Sequence, residues 1–233
     1  MKERPILFSG AMVRAILDGR KTQTRRVVKP VPDIVHGDIV ARHTPKDMAL
    51  GRLGEIIPCP YGAPGDRLWV RETFRFTSDF DGDSPARVGE RCIDAGYTKP
   101  WAPIHYEADG ERRDWMWVGT PPARDVSPGK TRVSIHMPRW ASRITLEITS
   151  VLVERLNDCS EEDALAEGVF KPGPSGNLPI GPCVERVSDG NEIVYCQRGM
   201  ATAEYRELWD QINGAGAWAA NPWVWVVEFR RAA

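Results

Sequence analysis

Near its start the chain places a lysine and a threonine where they could do chemistry together. In Gly19-Arg20-Lys21-Thr22-Gln23-Thr24-Arg25-Arg26, Lys21 and Thr24 stand three residues apart. If a helical turn or tight bend runs on past Gly19, both side chains can face one pocket. A threonine hydroxyl is a weak nucleophile until a base takes its proton. A lysine amine is such a base only when neutral, and Arg20, Arg25 and Arg26 all disfavour its ammonium form. Glu167 supplies the carboxylate such a site needs, to protonate a leaving amine or to steer water. The competing reading is a solvated cationic corner that holds phosphate and does no chemistry. From the residues alone that reading carries more weight, and a lone Glu at the end of a polar helix is more often a surface residue.

The elements that would position these groups are readable in part. Val13, Ile16 and Leu17 share one face of a short helix, with Gly19 placed to end it and an apolar lead-in at residues 5–8. Ser160 is a good N-cap with Asp163 at the reciprocal position, and Gly168 ends that helix with Glu167 as its last residue. A carboxylate there gets no help from the helix dipole, so solvent or a cation must stabilise it. Pro64-Gly65-Asp66 turns into a strand in which Leu68 and Val70 alternate with Arg67, Trp69 and Arg71. Glu72 at its rim is as suited to an ion pair as to substrate. Ile144, Leu146 and Ile148 predict a strand closed by Ser150, and Val151, Val153 and Leu156 its neighbour. Thr202 is expected to cap a helix with Tyr205, Leu208, Trp209 and Ile212 on one face. Trp223 to Phe229, apolar on both faces, predicts a central or helix-covered strand. Short strands are expected at 55–57 and 115–118, the latter pairing with 105–107. Residues 74–138 read as an irregular but ordered insertion, rich in aromatics, and 171–199 as a second loop insertion. The expected fold class is α+β, a small mixed β-barrel with peripheral helices, in a single domain over 1–233.

At 233 residues one substantial core is possible, and the net charge of -1 gives no global case for a polyanion binder. The charge is uneven, however. Residues 1–30 hold eight Lys or Arg against Glu3 and Asp18, a net +6, whereas 141–170 hold seven acidic residues against Arg143 and Arg155. Five cysteines without a CxxC pair favour a reducing compartment. No signal-peptide pattern and no membrane-length apolar run is present, so a cytoplasmic location is expected. His36, His43, His105 and His136 form no metal motif, and there is no Walker A loop, GxGxxG or nucleophile elbow. Neither metal nor cofactor is expected.

The Gly19-to-Arg26 run resembles the signature of the ASCH domain, a PUA-like β-barrel family associated with RNA. Residues 65–72, the Ser160-to-Gly168 segment and the closing Trp223-to-Phe229 strand look like further landmarks of that family. The whole chain is similar to the longer phage and prophage members. A small bacterial member hydrolyses the amide of N4-acetylcytidine with a lysine, a threonine and a glutamate that match Lys21, Thr24 and Glu167. The resemblance implies that Thr24 attacks the acyl carbonyl with Lys21 as base, while Glu167 handles the proton of the departing amine. It implies substrate contacts from Arg20, Arg25, Arg26 and Glu72, with Trp140 as a stacking partner. The implied partner is a modified cytidine nucleoside or RNA. The alternatives are a non-catalytic RNA-binding module, which would use the basic run for phosphate, and a ribonuclease.

Overall fold

The computed structural model describes residues 1–29, 49–50, 57–115, 127–169 and 200–232. In chain order the elements begin with β1 (Glu3–Leu7), α1 (Gly10–Leu17), β2 (Gln23–Val27), β3 (Ala49–Leu50) and β4 (Ile57–Pro58). They continue with β5 (Arg67–Arg71), β6 (Phe74–Arg75), α2 (Pro85–Asp94), β7 (Ile104–Tyr106) and β8 (Arg112–Arg113). The last are β9 (Thr145–Arg155), α3 (Glu161–Ala166), α4 (Met200–Asn213) and β10 (Trp223–Arg231). The chain divides into two compact units, Met1–Arg14 with Asp66–Glu147 and Arg231–Ala233, and Ala15–Gly65 with Ile148–Arg230.

The expected barrel is not what these strands form. The largest sheet has the order β1-β5-β9-β10-β2, with β1 and β2 as its two ends. A barrel would need those ends to pair, and among the described residues no pairing joins them. The class is therefore α+β with an open mixed sheet, parallel at β1–β5 and antiparallel at β5–β9 and β10–β2. A two-stranded sheet of β3 and β4 and a three-stranded sheet β6-β7-β8 are the other sheets among the described residues.

In the first unit, β5 buries Trp69 as well as Leu68 and Val70. Strict alternation would expose it, but Arg71 lies 4.6 Å from the centre of the Trp69 ring and Arg139 6.0 Å, covering its face. Residues 74–138 are less irregular than expected where they are described. Ser84 accepts a hydrogen bond from Arg87 N and Pro85 opens α2, which buries Val88, Gly89 and Cys92. Val88 meets Phe74, Phe76, Ile104, Tyr106 and Met137 in a hydrophobic core of this unit. His105 pairs with Arg112, whereas Trp115 lies outside any strand and 116–118 lie outside the described residues.

In the second unit, β10 lies between β9 and β2 and buries Val224 to Val227. β9 is one strand through Arg155 where two were expected. Its buried positions change from Leu146 and Ile148 to Val151 and Val153, a one-residue slip at Thr149–Ser150. Helix α4 begins at Met200, two residues before the expected cap. The Glu161 carboxylate does the capping, accepting from Ala201 N, Thr202 N and the Thr202 hydroxyl. Tyr205 and Trp209 turn inward and Ile212 does not. The expected loop insertion at 171–199 and most of the 55–57 strand lie outside the described residues. Among the described residues no helix is long and apolar enough to cross a membrane.

Candidate functional site

The second unit turns the basic run inward. Helix α1 ends in paired bonds from Gly19 N to Ile16 O and Arg20 N to Ala15 O, with Gly19 at φ +74°. That stop sends residues 20–22 along the C-terminal end of α3. Thr22 N donates to Ala166 O, Arg20 to Gly168 O at 3.1 Å, and Lys21 Nζ to Glu167 O at 3.0 Å. Two terminal carbonyls of α3, those of Ala166 and the capping Glu167, and that of Gly168 just beyond thus find donors. Gly168 permits the approach. Its φ is +81°, and a Cβ there would stand 2.8 Å from Ala15 Cβ and 2.9 Å from Lys21 Cβ.

At the centre lies an ion pair from which water is excluded. Lys21 Nζ is 2.6 Å from Glu167 Oε2, and the two side chains are 0% and 2% exposed. Nζ also donates to Gln23 O at 2.8 Å, so with Glu167 O three acceptors meet the three N–H donors of an ammonium. Burial nevertheless holds the Lys21 pKa below its ordinary value, against the opposing pull of Glu167. Arg25, also wholly buried, reaches Glu154 Oε1 at 2.9 and 2.8 Å, Asp163 at 3.2 Å and Glu167 Oε1 at 3.4 Å. Gln23 donates to Asp163, which completes the reciprocal cap with Ser160. Tyr205 lies against Glu167, and burial raises its phenol far above the ordinary range. Burial likewise pushes the Cys159 thiol up to about 12, which leaves it unreactive.

The structure brings Lys21, Arg25 and Glu167 together. Thr24 is buried and pairs with Val227, and no helical turn joins it to Lys21, because the chain enters β2. The pleat sets Thr24 and Arg26 on one face of β2 and Gln23 and Arg25 on the other. Arg20 is engaged by Asp18 and Gly168. Glu72 and Trp140 belong to the first unit. There Glu72 makes a two-pronged pair with Arg143 at 2.9 Å, and Trp140 stacks on Phe76 at 5.6 Å. Sequence reasoning missed Glu154, Asp163 and Tyr205 as partners of the cluster; the acidic excess of 141–170 was the available signal. Among the described residues no group of His, Cys, Asp and Glu could hold a metal.

No family model, curated protein or solved structure matches the chain. The resemblance to the ASCH family is therefore not upheld, and the open sheet removes the PUA-like barrel it implied. N4-acetylcytidine, which entered only as the substrate of a member of that family, loses that footing.

Proposed function

We propose that the chain is an amide hydrolase acting on an N-acylated nucleobase amine, with Lys21 and Glu167 as its proton-transfer couple. The observation that carries this reading is the 2.6 Å contact between two ionisable side chains almost wholly withdrawn from water. In a low-dielectric setting the neutral amine and carboxylic acid compete with the ion pair. From that neutral form, Lys21 takes the Thr24 hydroxyl proton as Oγ1 bonds to the acyl carbon. The C–N bond breaks, the amine leaves with the proton of Glu167, and the pair becomes ammonium and carboxylate. Water then attacks the Thr24 ester, giving one proton to Glu167 while Lys21 returns its own to Oγ1. Atoms and charges balance over the cycle. The step brings the Thr24 hydroxyl to the couple from the face of β2 opposite Gln23 and Arg25.

That same feature favours a second reading, in which Lys21, Arg25 and Glu167 are an ionic lock between β2 and α3. Phosphate binding by the run is the weaker alternative, because Lys21 and Arg25 are both 2% exposed and already paired.

The test is a chromatographic assay of amine release from a panel of N-acylated nucleosides, run with the parent, Thr24→Ala and Glu167→Gln. The hydrolase reading expects release by the parent and a loss of at least about 100-fold in each folded variant. Full activity in Thr24→Ala, or none in the parent, would leave the ionic lock.

A further inference from the structure

The Arg25 guanidinium is held from three sides. Its Nε and one terminal nitrogen grip Glu154 Oε1 on β9, at 2.9 and 2.8 Å. That same terminal nitrogen reaches Asp163 Oδ2 on α3 at 3.2 Å. Asp163 is itself fixed by Gln23 and by Ser160. With the plane of the fork set by two carboxylates on different elements, the remaining nitrogen is directed at Glu167 Oε1, at 3.4 Å. The other oxygen of Glu167 is the one on Lys21. A carboxylate gripped at one oxygen cannot rotate freely, and only a planar fork with several donors can hold all three partners at once.

We propose that Arg25 is a positioning residue: anchored on Glu154 and Asp163, it fixes Glu167 Oε1 and so keeps Oε2 aimed at Lys21 Nζ. Its charge is spent inside the fold, in place of the substrate contact expected from the sequence. The kinetic consequence rests on the hydrolase reading above; the structural consequence does not.

The experiment compares the parent with Arg25→Lys and Arg25→Gln. The first readout needs no substrate. The Lys21 ammonium titration is followed by nitrogen-detected NMR, with the signal assigned by its loss in Lys21→Arg. Arg25→Gln leaves Lys21 among three carboxylates, so its titration moves to higher pH. Arg25→Lys keeps the charge but not the fork, and positioning predicts a displacement of at least about 0.5 pH unit there too. The second readout is turnover: kcat falls about tenfold or more in both variants with KM within about twofold, and Lys does not rescue. An Arg25→Lys protein that titrates Lys21 as the parent does overturns the proposal, as does one that keeps parental kcat. If the parent shows no turnover, the hydrolase reading fails alone and the titration still decides on positioning. Should Arg25→Gln fail to fold, the charge-retaining variant carries both readouts.

Discussion

Lys21 places an ionisable amine where water does not reach, and that placement has consequences whichever role the cluster serves. Truncating one partner of a buried pair leaves the other uncompensated, so Lys21→Met should destabilise the chain by about 3–5 kcal/mol in urea unfolding. The pH dependence has a definite sign. Burial lowers the folded-state pKa of Lys21 below the ordinary 10.5. Between those two values the unfolded chain binds a proton that the folded chain has released, so this contribution to stability rises with pH across the window. The rise should flatten in Lys21→Met; an equal slope in both proteins would mean that Lys21 is not held below its usual range. That Glu167 needs solvent or a cation was legible from its place at the end of α3, but the choice of Lys21 as that cation was not, because their contact is made across 146 residues of chain. Their depth was not, since burial depends on β10 and α4, which lie far along the chain.

Local rules read well at the scale of elements. The Ser160–Asp163 capping box and the Gly19 and Gly168 stops involve neighbours in sequence, and all three form. Helix α2 was missed although Ser84-Pro85 is a local start signal, because the prolines and glycines of 74–138 read as irregular chain. The α4 cap was misplaced because its acceptor, Glu161, is 40 residues away from Ala201. Gly168 and Gly19 offer a matched comparison. Both have positive φ, but a Cβ meets nothing within 4 Å at Gly19 and meets Ala15 and Lys21 below 3.0 Å at Gly168. Gly19→Ala should cost only the backbone term of about 1–2 kcal/mol. Gly168→Ala should cost more by at least about 1 kcal/mol, since α3 must back away from the 20–22 segment. Equal losses of urea stability would show that this approach is not tight.

At the scale of the whole chain, the basic start and the acidic 141–170 stretch partly cancel within the second unit, where Lys21 and Arg25 meet Glu154, Asp163 and Glu167. A local charge excess in sequence is therefore no map of surface potential here. Any binding to RNA should keep its salt dependence in a folded Arg25→Gln or Lys21→Gln protein; a slope reduced by about one per removed charge, in filter binding over a salt series, would put these side chains on phosphate. The open sheet was not legible, and a barrel was expected in its place, because closure turns on whether β1 and β2 pair, a non-local choice that strand periodicity does not encode. The measurement that bears most directly on the central claim is joint quantification of released amine and carboxylic acid from an N-acylated nucleoside. It is made with the parent and with Lys21→Met, at a temperature where circular dichroism shows both folded. The account predicts equal amounts of both products from the parent and a loss of at least about 100-fold in Lys21→Met. No release by the parent, or undiminished release by the folded variant, would contradict it.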